Sequence, residues 1–221
     1  MDFSVVWDYK ELFIRGFFLT LFLSASGVLL GLILGLFLGL GKLSKRWFFY
    51  WPAKIYVDIF RGTPLFVQIL FIHYALIPSI YESLHLAVPG PLFSGIVALT
   101  LNSGAYIAEI FRGGIQSIDK GQTEAARSLG MTQNQAMRYV ILPQAFKRML
   151  PPLGNEFIAL LKDSSLVAII AVQELAYAGF ITAKSTFVRY PPYITVAVLY
   201  LVLTMLFTQV VNFLERRFKT E

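Results

Sequence analysis

Four stretches of this chain contain no Asp, Glu, Lys or Arg: Gly16 to Gly41, Gly62 to Tyr81, Ser83 to Ala108 and Tyr190 to Leu214. A helix needs roughly 20 apolar residues to cross a bilayer core about 30 Å thick, and each run reaches that length. A fifth candidate, Arg148 to Glu174, is interrupted by Glu156, Lys162 and Asp163. Only 14% of the residues are charged, where a soluble domain carries about 25%. The expected fold class is therefore an all-α membrane protein with about five transmembrane helices. With no internal repeat or low-complexity linker, residues 1–221 read as a single transmembrane domain. The leader before the first run holds Asp2, Asp8, Lys10, Glu11 and Arg15, unlike the basic leader of a secretory signal, so the first helix is expected to be retained.

The net charge of +6 is not a nucleic-acid footprint, because of where the basic residues fall. If the amino terminus is outside, the inner segments hold Lys42, Lys45, Arg46 and Lys54, then Arg112, Lys120, Arg127, Arg138, Lys147 and Arg148, then Arg216, Arg217 and Lys219. The outer segments hold only Lys10, Arg15, Lys184 and Arg189. That asymmetry is the positive-inside bias, so the partner implied is a lipid bilayer. The outer connections are expected at Pro78 to Pro91 and roughly Gln173 to Pro192, and Trp47, Trp51, Tyr190 and Tyr193 at headgroup level. The chain has no cysteine, which excludes disulfides and thiolate chemistry. His73 and His85 lack the spacing of a metal site, so no metal and no cofactor are expected on this chain.

The inner segment Arg112 to Leu150 is long for a connection and should be structured. Thr123 to Leu129 favours helix, Gly130 supplies a helix-ending turn, and Thr132 with Gln135 has capping-box spacing. A second short helix should follow and end near Leu142, before Pro143. Within this segment stand Glu124-Ala125-Ala126, Gly130, Val140 and Leu142-Pro143 at fixed spacing. The pattern resembles the coupling-loop signature of permease subunits of bacterial ATP-binding-cassette importers, with Val140 where isoleucine is usual.

Arg61-Gly62-Thr63-Pro64-Leu65, Ala105 to Ile115 and Lys162 to Leu166 look like the polar amino-acid permeases of that family, the histidine, glutamine and arginine importers. The resemblance implies a multi-pass permease of the bacterial cell membrane that is not itself an enzyme. It implies a second permease subunit, identical or related, two copies of an ATPase subunit that uses ATP and Mg, and an external amino-acid-binding protein. Glu124, Ala125, Ala126 and Gly130 would couple to the ATPase, the small alanines permitting close approach. The substrate would be a polar amino acid, basic slightly ahead of glutamine.

Charged groups within spans default to a pathway role. Asp163 heads the candidates, and Lys162, about 100° away round the helix, cannot face the same small cavity. Asn102, Tyr106 and Glu109 share one helix face, with Ser103 beside them. Gly62-Thr63-Pro64 should break the second span near Arg61, which either holds a substrate carboxylate or pairs with Asp58. Gln68 is a weaker candidate. A secondary transporter or channel would not explain the structured inner loop, and an intramembrane hydrolase lacks a histidine near Ser103. No Walker-type nucleotide loop is present, so ATP hydrolysis belongs to another chain.

Overall fold

The computed structural model describes residues 3–218; Asp2 and Lys219 lie outside the described residues. A short α1 (Ser4–Asp8) leads into α2 (Lys10–Leu43), α3 (Trp47–Gly62) and α4 (Leu65–Phe71). A π turn at Ile72–Leu76 joins α4 to α5 (Ile77–Ser83), and α6 (Pro91–Gln116) follows. Next come α7 (Lys120–Ser128) and α8 (Gln133–Ala136), then a second π turn at Met137–Ile141 opens α9 (Leu142–Asp163). A 3₁₀ stretch at Ser164–Ile170 precedes α10 (Leu175–Thr186), and α11 (Tyr190–Phe218) closes the described chain.

Four segments, α2, Leu65–Ser83, α6 and α11, are long and apolar enough to span a bilayer. The pair Gln133–Ile170 and Leu175–Thr186, bent by 45°, makes a fifth when taken as one broken span. The core lies between α2, α4, α6 and α9, around Leu23, Ile69, Leu99, Ile107 and Leu160. Helix α6 is its centre: 56% of its apolar window is buried, against 11% for α11. The outward faces of α2 and α11 expose Phe18, Phe22, Ile33, Phe37, Leu201, Met205 and Leu206. So much exposed apolar surface marks faces that meet lipid or another protein.

The contact between α2 and α6 is the most extensive between helices, and its cause is a run of small residues. Gly27, Gly31, Gly35 and Gly39 are buried at four-residue intervals and face Leu99, Ser103, Ile107 and Ala108. Lipid tails give no hydrophobic drive for helices to associate, so close backbone approach at small residues supplies the dispersion contact instead. A side chain at Gly35 would meet Ile107 at 2.6 Å and the Gly104 carbonyl at 2.9 Å.

Three sequence expectations about helix ends need correction. Pro78 does not begin the outer connection and Pro143 does not end the preceding helix, since the helical path continues through both. Each proline follows a π turn, whose i to i+5 pairing inserts one extra residue and absorbs the missing proline donor. The segment after Gln173 is not a loop either. Glu174 caps α10 by accepting from the N–H groups of Ala176 and Tyr177, and Leu175, Ala178, Gly179, Thr182 and Ala183 bury that helix. The bend before it is made at Ala171, which adopts a left-handed φ of 61°.

Candidate functional site

The expected break in the second span is present: Thr63 and Pro64 are extended between α3 and α4. In a continuous helix the residue 64 amide would bond the Phe60 carbonyl, but proline has no N–H. Buried Gln68, one turn on, takes over. Its Nε2 donates to Phe60 O at 2.8 Å and Thr63 O at 3.0 Å, while Thr63 Oγ1 donates to Ile59 O at 2.8 Å. Asn102 Nδ2 from α6 donates to Gln68 Oε1 at 3.0 Å and fixes that amide's orientation.

This break forms one wall of a cavity of about 360 Å³, lined by Thr63, Pro64, Leu65, Asn102, Tyr106, Glu156, Ala159 and Asp163. Asn102 and Tyr106 are one turn apart on α6, and Glu156, Ala159 and Asp163 recur at i, i+3 and i+7 on α9, so each helix offers one face. Lys162 is exposed instead. Glu156 entered the sequence reading only as an interruption of the fifth span. Its seven-residue spacing from Asp163 was the available signal.

Glu109, Arg61 and Ser103 are not among the cavity-lining residues. Glu109 is held by Lys42 Nζ at 2.5 Å, Arg112 Nη2 at 2.7 Å and Arg61 Nη1 at 3.7 Å, an ion cluster tying α2, α3 and α6 together. The Asp58–Arg61 pair weighed from sequence does not form. Lys54, one turn before Asp58 on α3, claims that carboxylate at 2.5 Å, and Arg61 turns to Glu109 with its guanidinium 5.4 Å from the Tyr106 ring centroid. Ser103 is fully buried and faces Gly31 of α2.

The segment expected at about 112–150 is narrower as a connection, because α6 runs to Gln116 and α9 starts at Leu142. Asp119 caps α7 through the Gly121 N–H. At the other end Gly130 has φ +87°, Met131 N bonds Ala126 O at 3.2 Å and Gly130 N bonds Arg127 O at 3.0 Å. That double closure is a Schellman turn, which favours glycine at the left-handed position. Both bonds of the Thr132–Gln135 capping box are made. Glu124 and Ala125 are exposed, whereas Ala126 is buried against this chain. Leu129 is 81% exposed beside the turn, an apolar outlier that helix propensity alone did not single out. The segment is seated by Ile118, Ile141, Ala145 and Met149, and Arg148 donates to the Ser117 carbonyl.

A bundle of spans with a helix break beside a polar cavity, and a rigid, exposed helical hairpin on one side, defines a membrane transport subunit. The chain belongs to the binding-protein-dependent transport system inner membrane component family, which matches residues 27–220. The glutamine transport system permease protein GlnP of Escherichia coli (strain K12) is 40% identical, over 99% of this chain and 98% of that protein. The arginine transport system permease protein ArtQ of Bacillus subtilis (strain 168) is 34% identical, over 100% and 98%. A crystal structure of an amino acid ABC transporter with histidines superposes with a TM-score of 0.90 at 43% identity, covering 98% of this chain and 99% of the solved one.

Proposed function

We propose that this chain is the permease subunit of an ATP-driven amino-acid importer and that the cavity between the helix break, α6 and α9 is part of its translocation pathway. A second permease subunit, identical or related, completes the pathway, and an external binding protein delivers the amino acid. Two ATPase subunits, which use ATP and Mg, dock on the inner hairpin at Glu124, Ala125 and Leu129, with Gly130 fixing its turn.

The observation that carries the substrate reading is the pair of carboxylates, Glu156 and Asp163, on a wall with no lysine or arginine. Inside a low-dielectric bundle such a site favours a cation, and charge-assisted hydrogen bonds are the stronger ones. We therefore assign a basic amino acid as the preferred substrate, with Asn102 and Tyr106 as polar contacts. The glutamine-system relative favours a second reading, in which the two carboxylates hold only the α-amino group.

Uptake of arginine and of glutamine by proteoliposomes containing the permease, its ATPase and its binding protein tests this. Asp163→Asn and Glu156→Gln should each lower arginine uptake more than tenfold while any glutamine uptake falls less. Equal loss for both substrates points to the α-amino reading. Undiminished arginine uptake in both variants removes the carboxylates from the pathway.

A further inference from the structure

Besides exposed Lys162, which adjoins Asp163, a second cation stands beside the carboxylate-lined cavity. The Arg61 guanidinium lies over Tyr106, whose ring is part of the wall, and Thr63 and Pro64, just beyond Arg61 in the chain, are wall residues as well. Arg61 is turned aside by Glu109, but it is the loosest of that residue's three partners. Its separation is 3.7 Å against 2.5 Å for Lys42 and 2.7 Å for Arg112, and its side chain is 43% exposed against 11% and 34%. One carboxylate cannot neutralise three cations, so Arg61 is held by what attraction the closer two leave.

An arginine side chain is long and flexible at its stem and carries a permanent charge. Rotated across Tyr106, it would present to Glu156 and Asp163 the same kind of group that a basic amino acid presents. We propose that Glu109 is a positioning residue that keeps Arg61 out of the cavity, and that a released Arg61 acts as a tethered competitor for the substrate's cationic group. This rests on the cationic-substrate reading above. A group on a short tether has an effective concentration in the millimolar range, so it weakens a competing ligand wherever its own dissociation constant for the two carboxylates lies below that.

The test is arginine and glutamine binding to the purified permease–ATPase complex by isothermal titration calorimetry. Glu109→Gln should weaken arginine binding about tenfold, the effect of a competitor at ten times its own dissociation constant, and glutamine binding less than twofold. Adding Arg61→Gln to that variant should return arginine affinity to within about threefold of wild type, a recovery that a merely structural role for Glu109 would not produce. Should Glu109→Gln fail to insert because it strands buried Lys42, Glu109→Asp keeps the close pairs and, being shorter, releases Arg61 first. It should show the same arginine-selective loss, severalfold in size.

Equal weakening of both ligands, no recovery in the double variant, or weakening of both ligands by Arg61→Gln alone would each overturn the proposal. The last of these would make Arg61 a carboxylate-binding group. Wild-type complex that binds glutamine but not arginine would overturn the cationic reading and this proposal together. Normal wild-type arginine binding with unresponsive variants overturns this proposal alone.

Discussion

Replacing Gln68 with leucine tests whether the break in the second span is held by a side chain standing in for backbone. The amide is 6% exposed and serves four groups: the carbonyls of Phe60 and Thr63, the Thr63 hydroxyl and the Asn102 amide. Leucine keeps the volume and removes every one of those partners. The Thr63 hydroxyl retains its bond to Ile59 O, which leaves the Phe60 carbonyl and the Asn102 N–H as the groups with most to lose. An orphaned buried polar group costs about 1–3 kcal/mol, so two of them should make Gln68→Leu destabilising by about 1–5 kcal/mol after roughly 1 kcal/mol of apolar gain from leucine is subtracted. Reversible unfolding in mixed micelles measures this directly. Asn102→Leu in the Gln68→Leu background should cost less than in wild type, by about 0.5–3 kcal/mol, as residues sharing one network do. A Gln68→Leu protein within about 0.5 kcal/mol of wild type, or strict additivity with Asn102→Leu, would refute the account. Transport should also fall, because Thr63, Pro64 and Leu65 form a cavity wall.

Gly35→Val should abolish stable folding or cost more than about 3 kcal/mol, since its Cβ meets Ile107 and a backbone carbonyl, while Gly113→Ala, with open space around it, should stay within about 1 kcal/mol; expression and unfolding in detergent compare the two. Gly130→Val places a β-branched residue at φ +87°, which opposes the turn, so ATP-driven uptake should fall at least tenfold while the amount of permease in the membrane holds. Tyr200→Phe removes the 2.6 Å hydrogen bond to Glu174 Oε2 and should cost about 1–3 kcal/mol, as removing one partner of a buried polar group does, read in the same unfolding assay.

Much of the fold was legible because lipid simplifies the problem. Backbone there must be helical or compensated, so the charge-free runs locate α2, the Leu65–Ser83 segment, α6 and α11 directly. The Pro64 break, the Gly130 turn and the Thr132–Gln135 box were also legible, since each depends on chemistry within a few residues. The misread ends at Pro78 and Pro143 share one cause: a π turn costs little when neighbours pack around it, and local rules cannot see those neighbours. The glycine interval on α2 is visible in the chain, but its meaning depends on α6 lying opposite. Helix α10 was hidden for a similar reason, its small residues being stabilised by α2 and α11 and not by an apolar stripe of their own.

The polar residues inside the bundle divide by a property that composition does not reveal, namely how much of their bonding capacity the protein already uses. Glu174 is fully buried and accepts from Thr20 at 3.3 Å, Ala176 N at 2.9 Å, Tyr177 N at 2.8 Å and Tyr200 at 2.6 Å. Both oxygens are thus committed to joining α2, α10 and α11. Gln68 is spent on the Pro64 break and Glu109 on three cations. Glu156 and Asp163 differ, because they share a cavity wall that includes no lysine or arginine. An ionisable group within a span is costly to keep without a use, so two carboxylates on a cavity wall that supplies no lysine or arginine are the ones open to a group entering that cavity. The sequence offers Glu109 as well as Asp163, which it places first, because both are acids within spans. Only the partners across three helices separate an acid that holds the bundle together from one that faces a cavity.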